Sequence, residues 1–177
     1  MKKLLKILLI PTIVLLLSVA ALAIGPATLM MFGGGDGLGP ELVQNSNLEG
    51  TYATYWTDRN TPTTNERSNT QAHSLTYSGH IVADEAWDGA ELITTYNVVS
   101  GQAYRMSGWL YVVSGTCDIR DVDNWLDFAM DTAVTGSWQY LTTDASATAT
   151  TTDMIKISIS SATGECYFDD ISVKKIY

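Results

Sequence analysis

One pattern constrains this chain more than any other. From Glu41 to the C-terminus no stretch carries a helical period, while short runs rich in Val, Ile, Thr and Tyr recur with Gly, Asn, Asp and Ser between them. Strands bounded by turn-forming residues at such spacing build a sandwich or a barrel. The runs predict strands over 41–44, 52–57, 76–83, 89–98, 102–114, 124–130, 137–143, 153–160 and 165–176. In 154–160, Ile155, Ile157 and Ile159 share one face and Lys156, Ser158 and Ser160 the other, the alternation of a half-buried antiparallel strand. In 104–112, Tyr104, Met106, Leu110 and Val112 face one way and Arg105, Ser107, Trp109 and Tyr111 the other. A face that carries Trp, Tyr, Arg and Ser together is not an ordinary core face.

The strand pattern is preceded by a different kind of sequence. Lys2, Lys3 and Lys6 lead an apolar run without charge from Ile7 until Asp36, and Ala21-Leu22-Ala23 has the small-x-small form of a cleavage site. Residues 1–32 therefore read as an apolar helix that is either a signal peptide or an uncleaved membrane anchor, with the lysines on the cytoplasmic side, a third reading being an arm packed inside a larger assembly such as a virion. Residues 33–40 read as a Gly-rich linker and 41–177 as the folded domain. Every form of the leader places that domain outside the cytoplasm, secreted or anchored, with the membrane touched only through the leader. All 19 acidic residues lie from Asp36 onward, against seven of the ten basic ones, so this part carries a net −12. Such a surface repels nucleic acid and suits neutral ligands or cations.

Five local motifs follow one another along the domain. It opens on Glu41-Leu42-Val43-Gln44-Asn45-Ser46-Asn47-Leu48-Glu49-Gly50 and continues with Ser74-Leu75-Thr76-Tyr77-Ser78-Gly79-His80-Ile81-Val82. Then come Val99-Ser100-Gly101-Gln102-Ala103-Tyr104-Arg105-Met106-Ser107-Gly108-Trp109 and Gly136-Ser137-Trp138-Gln139-Tyr140, and the domain closes on Gly164-Glu165-Cys166-Tyr167-Phe168-Asp169-Asp170-Ile171-Ser172-Val173. In this order the motifs resemble carbohydrate-binding modules of the family 4/9 (CenC-like) type and their galactose-binding-like jelly-roll relatives. The likeness spans about 41–175. It departs at the opening Ser46-Asn47-Leu48 and at Gly108, where a bulky residue is usual and a gap on the core face must be filled. The resemblance implies an all-β jelly-roll sandwich of two antiparallel sheets, a face or loop edge that holds a poly- or oligosaccharide, and a structural calcium ion near the ends of the domain.

Aromatic faces stack on the C–H face of a pyranose without any need for charge. Trp109 and Tyr111 share a strand face, Trp87 sits in the polar loop Asp84-Glu85-Ala86-Trp87-Asp88-Gly89, and Trp125 is flanked by Asn124 and Asp127. These rings, with Asp88 and Arg105 to read hydroxyls, form the expected ligand set, whereas Trp56 and Trp138 read as core. For calcium, Asp169 shares strand parity with Ile171 and Val173 and should point inward unless a bulge intervenes; a buried carboxylate needs a cation or donors. The resemblance brings Glu49 close to Asp169 and Asp170 to complete that set. Cys117 and Cys166 are the only cysteines; outside the cytoplasm they either pair, closing a loop of about 50 residues worth roughly 3–4 kcal/mol, or persist as two buried thiols. His73 and His80 are the only histidines, and no nucleophile elbow, zinc spacing or phosphate loop is present, so a catalytic role is not expected. The alternative to sugar binding is a structural or adhesive component of a cell surface, fibre or virion that uses the same fold for protein contacts, self-assembly included.

Overall fold

The computed structural model describes residues 37–177. The expected signal or anchor over 1–32 and the first half of the expected linker, 33–36, lie outside the described residues. The chain runs through β1 (Leu38–Glu41), one helical turn α1 (Tyr52–Tyr55), β2 (Trp56–Arg59), β3 (Thr64–Ser68), β4 (Ser78–Ala83) and β5 (Asp88–Leu92). It continues with β6 (Tyr96–Val98), β7 (Ala103–Ser114), β8 (Cys117–Asp121), β9 (Ala129–Thr132), β10 (Trp138–Ser146), β11 (Thr151–Asp153), β12 (Ile155–Ile159) and β13 (Gly164–Ile176). The strand order of the first sheet is β10-β7-β13-β4-β3, with β1 added on β13; that of the second is β2-β5-β12-β8-β9. A short ribbon of β6 and β11 completes a fold in which every named pairing is antiparallel.

The two sheets form a β-sandwich over one core. Along β7 the residues Tyr104, Met106, Leu110 and Val112 are buried while their neighbours are not, and Ile155, Ile157 and Ile159 of β12 meet them from the second sheet. Each such side chain contributes about 1.5–3 kcal/mol by leaving water. Gly108 of β7 makes room for a side chain from each sheet. A Cβ there would stand 2.5 Å from Ile171 Cδ1 and 2.8 Å from Ile119 Cδ1, so these two side chains fill the gap that the missing bulky residue leaves. Gly79 is likewise roofed by the Phe168 ring, which packs on Trp56 at 4.9 Å. Cys117 of β8 and Cys166 of β13 form a disulfide across 49 residues of sequence that ties one sheet to the other.

Several elements differ from the sequence expectation. Residues 52–55 close a helical turn instead of starting a strand, which stacks the Tyr52 ring on Trp56 at 6.4 Å. The run 89–98 breaks into β5 and β6, which belong to different sheets. The strand expected over 124–130 begins only at Ala129, because Asp121 accepts the N–H groups of Leu126, Asp127 and Phe128 and holds that stretch as a loop. Polar β3 and β8 were not expected at all. β1 takes in the last residues of the stretch read as linker.

Candidate functional site

The outer face of the first sheet carries a ridge of rings. Antiparallel register sets Glu66 (β3), His80 (β4), Tyr167 (β13), Tyr111 (β7) and Trp138 (β10) in one row across five strands. Two residues further along, Asp169, Trp109 and Tyr140 form the next row. Residues directly opposite each other in a ladder share a face, so strand alternation alone collects these side chains. His80 stacks on Tyr167 at 4.3 Å with 8° between planes, Tyr167 meets Tyr111 edge-on at 6.2 Å, and Tyr111 lies 5.7 Å from Trp138. Trp109 and Tyr140 are 5.1 Å apart, and Tyr140 is 52 % exposed. Two shallow hollows flank the ridge. One of about 390 Å³ is lined by Gln71, Tyr111, Val113, Thr135, Gly136 and Tyr167. The other, of about 540 Å³, is lined by Arg105, Tyr140, Thr142, Thr143 and Asp144.

Arg105 spends its fork on Asp144 with two bonds of 2.7 Å, and this bond holds the Asp144 carboxyl below its usual range. Next to the first hollow, His80 Nε2 lies 3.0 Å from Glu165 Oε1; burial first, then the Glu165 charge, raise the Tyr167 hydroxyl. Hydroxyls, a guanidinium and carboxylates thus border flat rings along the whole face. An extended chain of neutral hydroxylated rings could stack on the ridge and exchange hydrogen bonds at its margins.

Residues 71–77 fold over one end of this ridge, and the three expected calcium ligands hold them there. Asp169 Oδ2 accepts the N–H groups of His73 (3.0 Å) and Ser74 (2.9 Å). Asp170 accepts the Ser74 hydroxyl at 2.9 Å and faces His73 Nδ1 at 3.1 Å. Glu49 Oε1 accepts the N–H groups of Thr76 and Tyr77, both at 2.8 Å. The loop seats the His73 imidazole on Trp109, 3.7 Å between centroids and 17° between planes. In this arrangement the three carboxylates are engaged by N–H and O–H donors of the loop. Among the described residues no group of three or more His, Cys, Asp or Glu side chains is placed to hold a metal. For Asp169 the exception to an inward orientation holds. A bulge between Asp169 and Ser172, with Asp170 at φ +50°, keeps Phe168, Ile171 and Val173 on the core side and leaves Asp169 on the face of Trp109. Asp169 is buried by the loop, and this burial, reinforced by the Asp170 charge, pushes its pKa up to about 6.

The expected ligand residues do not form one site. Trp109, Tyr111 and Arg105 lie on the outer face of the first sheet. Trp87, 44 % exposed, stands by the second sheet, where Arg120 covers its ring at 4.8 Å. Trp125, 37 % exposed, sits in the β8–β9 loop, where its carbonyl accepts from Thr148. Asp88 is buried and accepts the N–H groups of Thr61 and Glu85, so it is closed to ligand. Trp138, read as core, is on the ridge instead. Sequence reasoning also missed Tyr140, Tyr167, His73 and His80. The alternation Trp138-Gln139-Tyr140 could have marked the first two, since it repeats the pattern of Trp109 and Tyr111 one strand away.

A sandwich of this kind, with rings gathered on the outer face of one sheet, has the fold of carbohydrate-binding modules. Similar solved structures are TmCBM61 in complex with β-1,4-galactotriose (TM-score 0.58, 18 % identity, covering 76 % of this chain and 97 % of that one) and a family 4 module (0.57, 16 %, 75 % and 99 %). The CBM22-1 xylan-binding domain of Paenibacillus barcinonensis Xyn10C is similar as well (0.53, 16 %, 73 % and 91 %). The likeness thus runs across several module families and does not single out the 4/9 type. No family model and no curated protein matches the chain.

Proposed function

We propose that this chain is a non-catalytic carbohydrate-binding module, displayed outside the cytoplasm, that takes a neutral poly- or oligosaccharide on the outer face of its first sheet. The observation that carries this reading is the ridge from His80 to Trp138 with Tyr140 exposed beside it, a run of rings on rigid strands with hydroxyl-reading groups at its edges. The solved modules with this fold include one bound to β-1,4-galactotriose and one named as xylan-binding, which supports a poly- or oligosaccharide ligand. Neither histidine is placed as a catalytic base on a nucleophile. His73 lies against Trp109 while Ser74 donates to Asp170, and His80 lies against Tyr167. The lysine-led apolar leader and the disulfide support an extracytoplasmic setting. A glycan array probed with the full-length chain, beside a Trp138→Ala/Tyr140→Ala variant, tests the proposal. Binding of neutral β-linked oligosaccharides that the variant loses is expected. A folded protein that binds no glycan would sink the reading and leave the structural or adhesive role in front.

A further inference from the structure

The outer face of the second sheet is built on a different principle. Only seven basic residues follow the leader, against nineteen acidic ones, and three of the seven meet here. Lys156 of β12 lies directly opposite Arg120 of β8 on one side and Glu91 of β5 on the other, and Glu91 holds Arg59 of β2 at 2.8 Å. Like charges opposed across a ladder repel, so the Lys156–Arg120 pair favours an anion placed between them. Lys156 shows the strain: burial first, then the Arg59 charge, lowers its pKa. Among the described residues no carboxylate lies within ion-pair distance of it.

The two guanidiniums are held at one point each. Arg59 meets Glu91 through Nη1, and Arg120 meets the buried Asp118 through Nε at 3.2 Å. Their other donors have no hydrogen-bond partner among the described residues, in contrast to the fork of Arg105 on the first sheet. Exposed acids border the cluster: Asp131, opposite the buried Asp118 on the edge strand β9, and Asp84 and Glu85 in the loop that carries Trp87. Beside the cations stands Trp87 at φ +74°, a backbone region that a bulky residue rarely adopts. It is locked there by its N–H on the Ile159 carbonyl (2.7 Å) and by Asn60, the neighbour of Arg59, on its own carbonyl (2.9 Å). The lock leaves the ring 44 % exposed, with the Arg120 guanidinium over one face at 4.8 Å and the other face left for a ligand.

We propose that this face is a second binding site, separate from the ridge, for an acidic sugar: a pyranose stacked on Trp87 with its carboxylate or sulfate against Lys156 and the open donors of Arg59 and Arg120. It uses no residue of the first sheet and stands or falls independently of neutral-sugar binding there. Calorimetry on the full-length protein tests it with tetragalacturonate, its neutral methyl ester and a sulfated galactotetraose. The wild type is expected to bind at least one acidic probe at least tenfold more tightly than the ester, and more weakly as salt rises. The carboxylated and sulfated probes tell which anion the site prefers. Lys156→Met, which keeps both arginine ion pairs, and Trp87→Ala are each expected to weaken that binding about tenfold, and Trp138→Ala/Tyr140→Ala to leave it unchanged. Equal affinity for the ester, no binding of either acidic probe by folded protein, full retention in Lys156→Met, or loss only in the first-sheet variant each overturns the proposal.

Discussion

The two outer faces of one sandwich solve the problem of an exposed sheet in opposite ways. On the first, rings cover the strands and the single guanidinium, Arg105, is paired at both points with Asp144. On the second, three cations cover the strands, one ring stands at the margin, and each guanidinium is paired at one point only. Rings attract a neutral ligand through area and are indifferent to salt, whereas half-paired cations select for charge and weaken with ionic strength. The comparison teaches that affinity for neutral and for acidic groups can be separated on one domain by the composition of alternate strand positions, with no change of fold.

The largest expected effect tests whether the faces belong to one rigid body. The disulfide between Cys117 and Cys166 joins the sheets, and closing its loop is worth about 4 kcal/mol in the chain-entropy model. Cys117→Ala/Cys166→Ala should therefore lower Tm by roughly 10 °C in a domain of this size. Below the new Tm both faces should bind as before. If one face loses its ligand while the other keeps it, the sheets depend unequally on the bond and the symmetric comparison breaks.

A smaller effect comes from pH. Burial, together with the Asp121 charge, pushes Asp153 up to about 6, and Asp169 under its loop is raised to about 6 as well. Both folded-state values lie above the ordinary aspartate value of 3.8, so the native state binds more protons than the unfolded chain between those limits. Stability should therefore fall as pH rises from about 4 to 6, by at most about 3 kcal/mol for each group, and level off above about 7. Thermal unfolding across this range checks the sign. Asp153→Asn should remove its share of the slope, and an unchanged slope in that variant would show that Asp153 titrates normally. The Asp169 share has a local readout, since that carboxylate seats the loop carrying His73 on Trp109.

How much of this was legible in the sequence depended on whether a residue's role was local or long-range. The alternation in 104–112 and 154–160 is a property of single strands, and it placed Trp109 and Tyr111 outward and the three isoleucines inward. Strands β3 and β8 were hidden because TNERS and CDIRD carry their partners in other strands. Trp138 was misread for the same reason, since only its register with Tyr111 shows which way it faces. Parity alone left the direction of Asp169 open to a bulge, and the bulge that turns it outward leaves no mark in composition. Trp87 was found as an exposed loop ring, yet nothing local showed that it belongs to the second sheet, with Arg120, and not to the ridge.

On the ridge itself, a stacked pyranose that removes roughly 50–60 Å² of apolar surface from water gains about 1.4 kcal/mol, a factor of ten in Kd. Trp138→Ala/Tyr140→Ala should cost at least that factor for a neutral oligosaccharide in calorimetry. The loss should hold at high salt, because no charge is involved. A loss that appears only at low salt would mean that the first sheet, like the second, works through its charged margins.

The smallest effect sharpens the comparison most. Arg105 and Asp144 form a bidentate pair on an exposed face, and exposed pairs are worth about 0–1 kcal/mol because water screens both charges. Arg105→Ala should lower stability by less than about 1 kcal/mol in denaturant unfolding. Its functional consequence should be larger than its structural one for one kind of ligand only. Removing the guanidinium frees Asp144 at the edge of the second hollow, so the first sheet becomes more acidic and should exclude acidic sugars more strongly while holding neutral ones. A gain in acidic-sugar binding by Arg105→Ala would contradict this electrostatic logic. An unchanged acidic-sugar affinity, with neutral binding intact, is the outcome if acidic ligands never occupy the first sheet and are held wholly by Lys156 and its neighbours on the second.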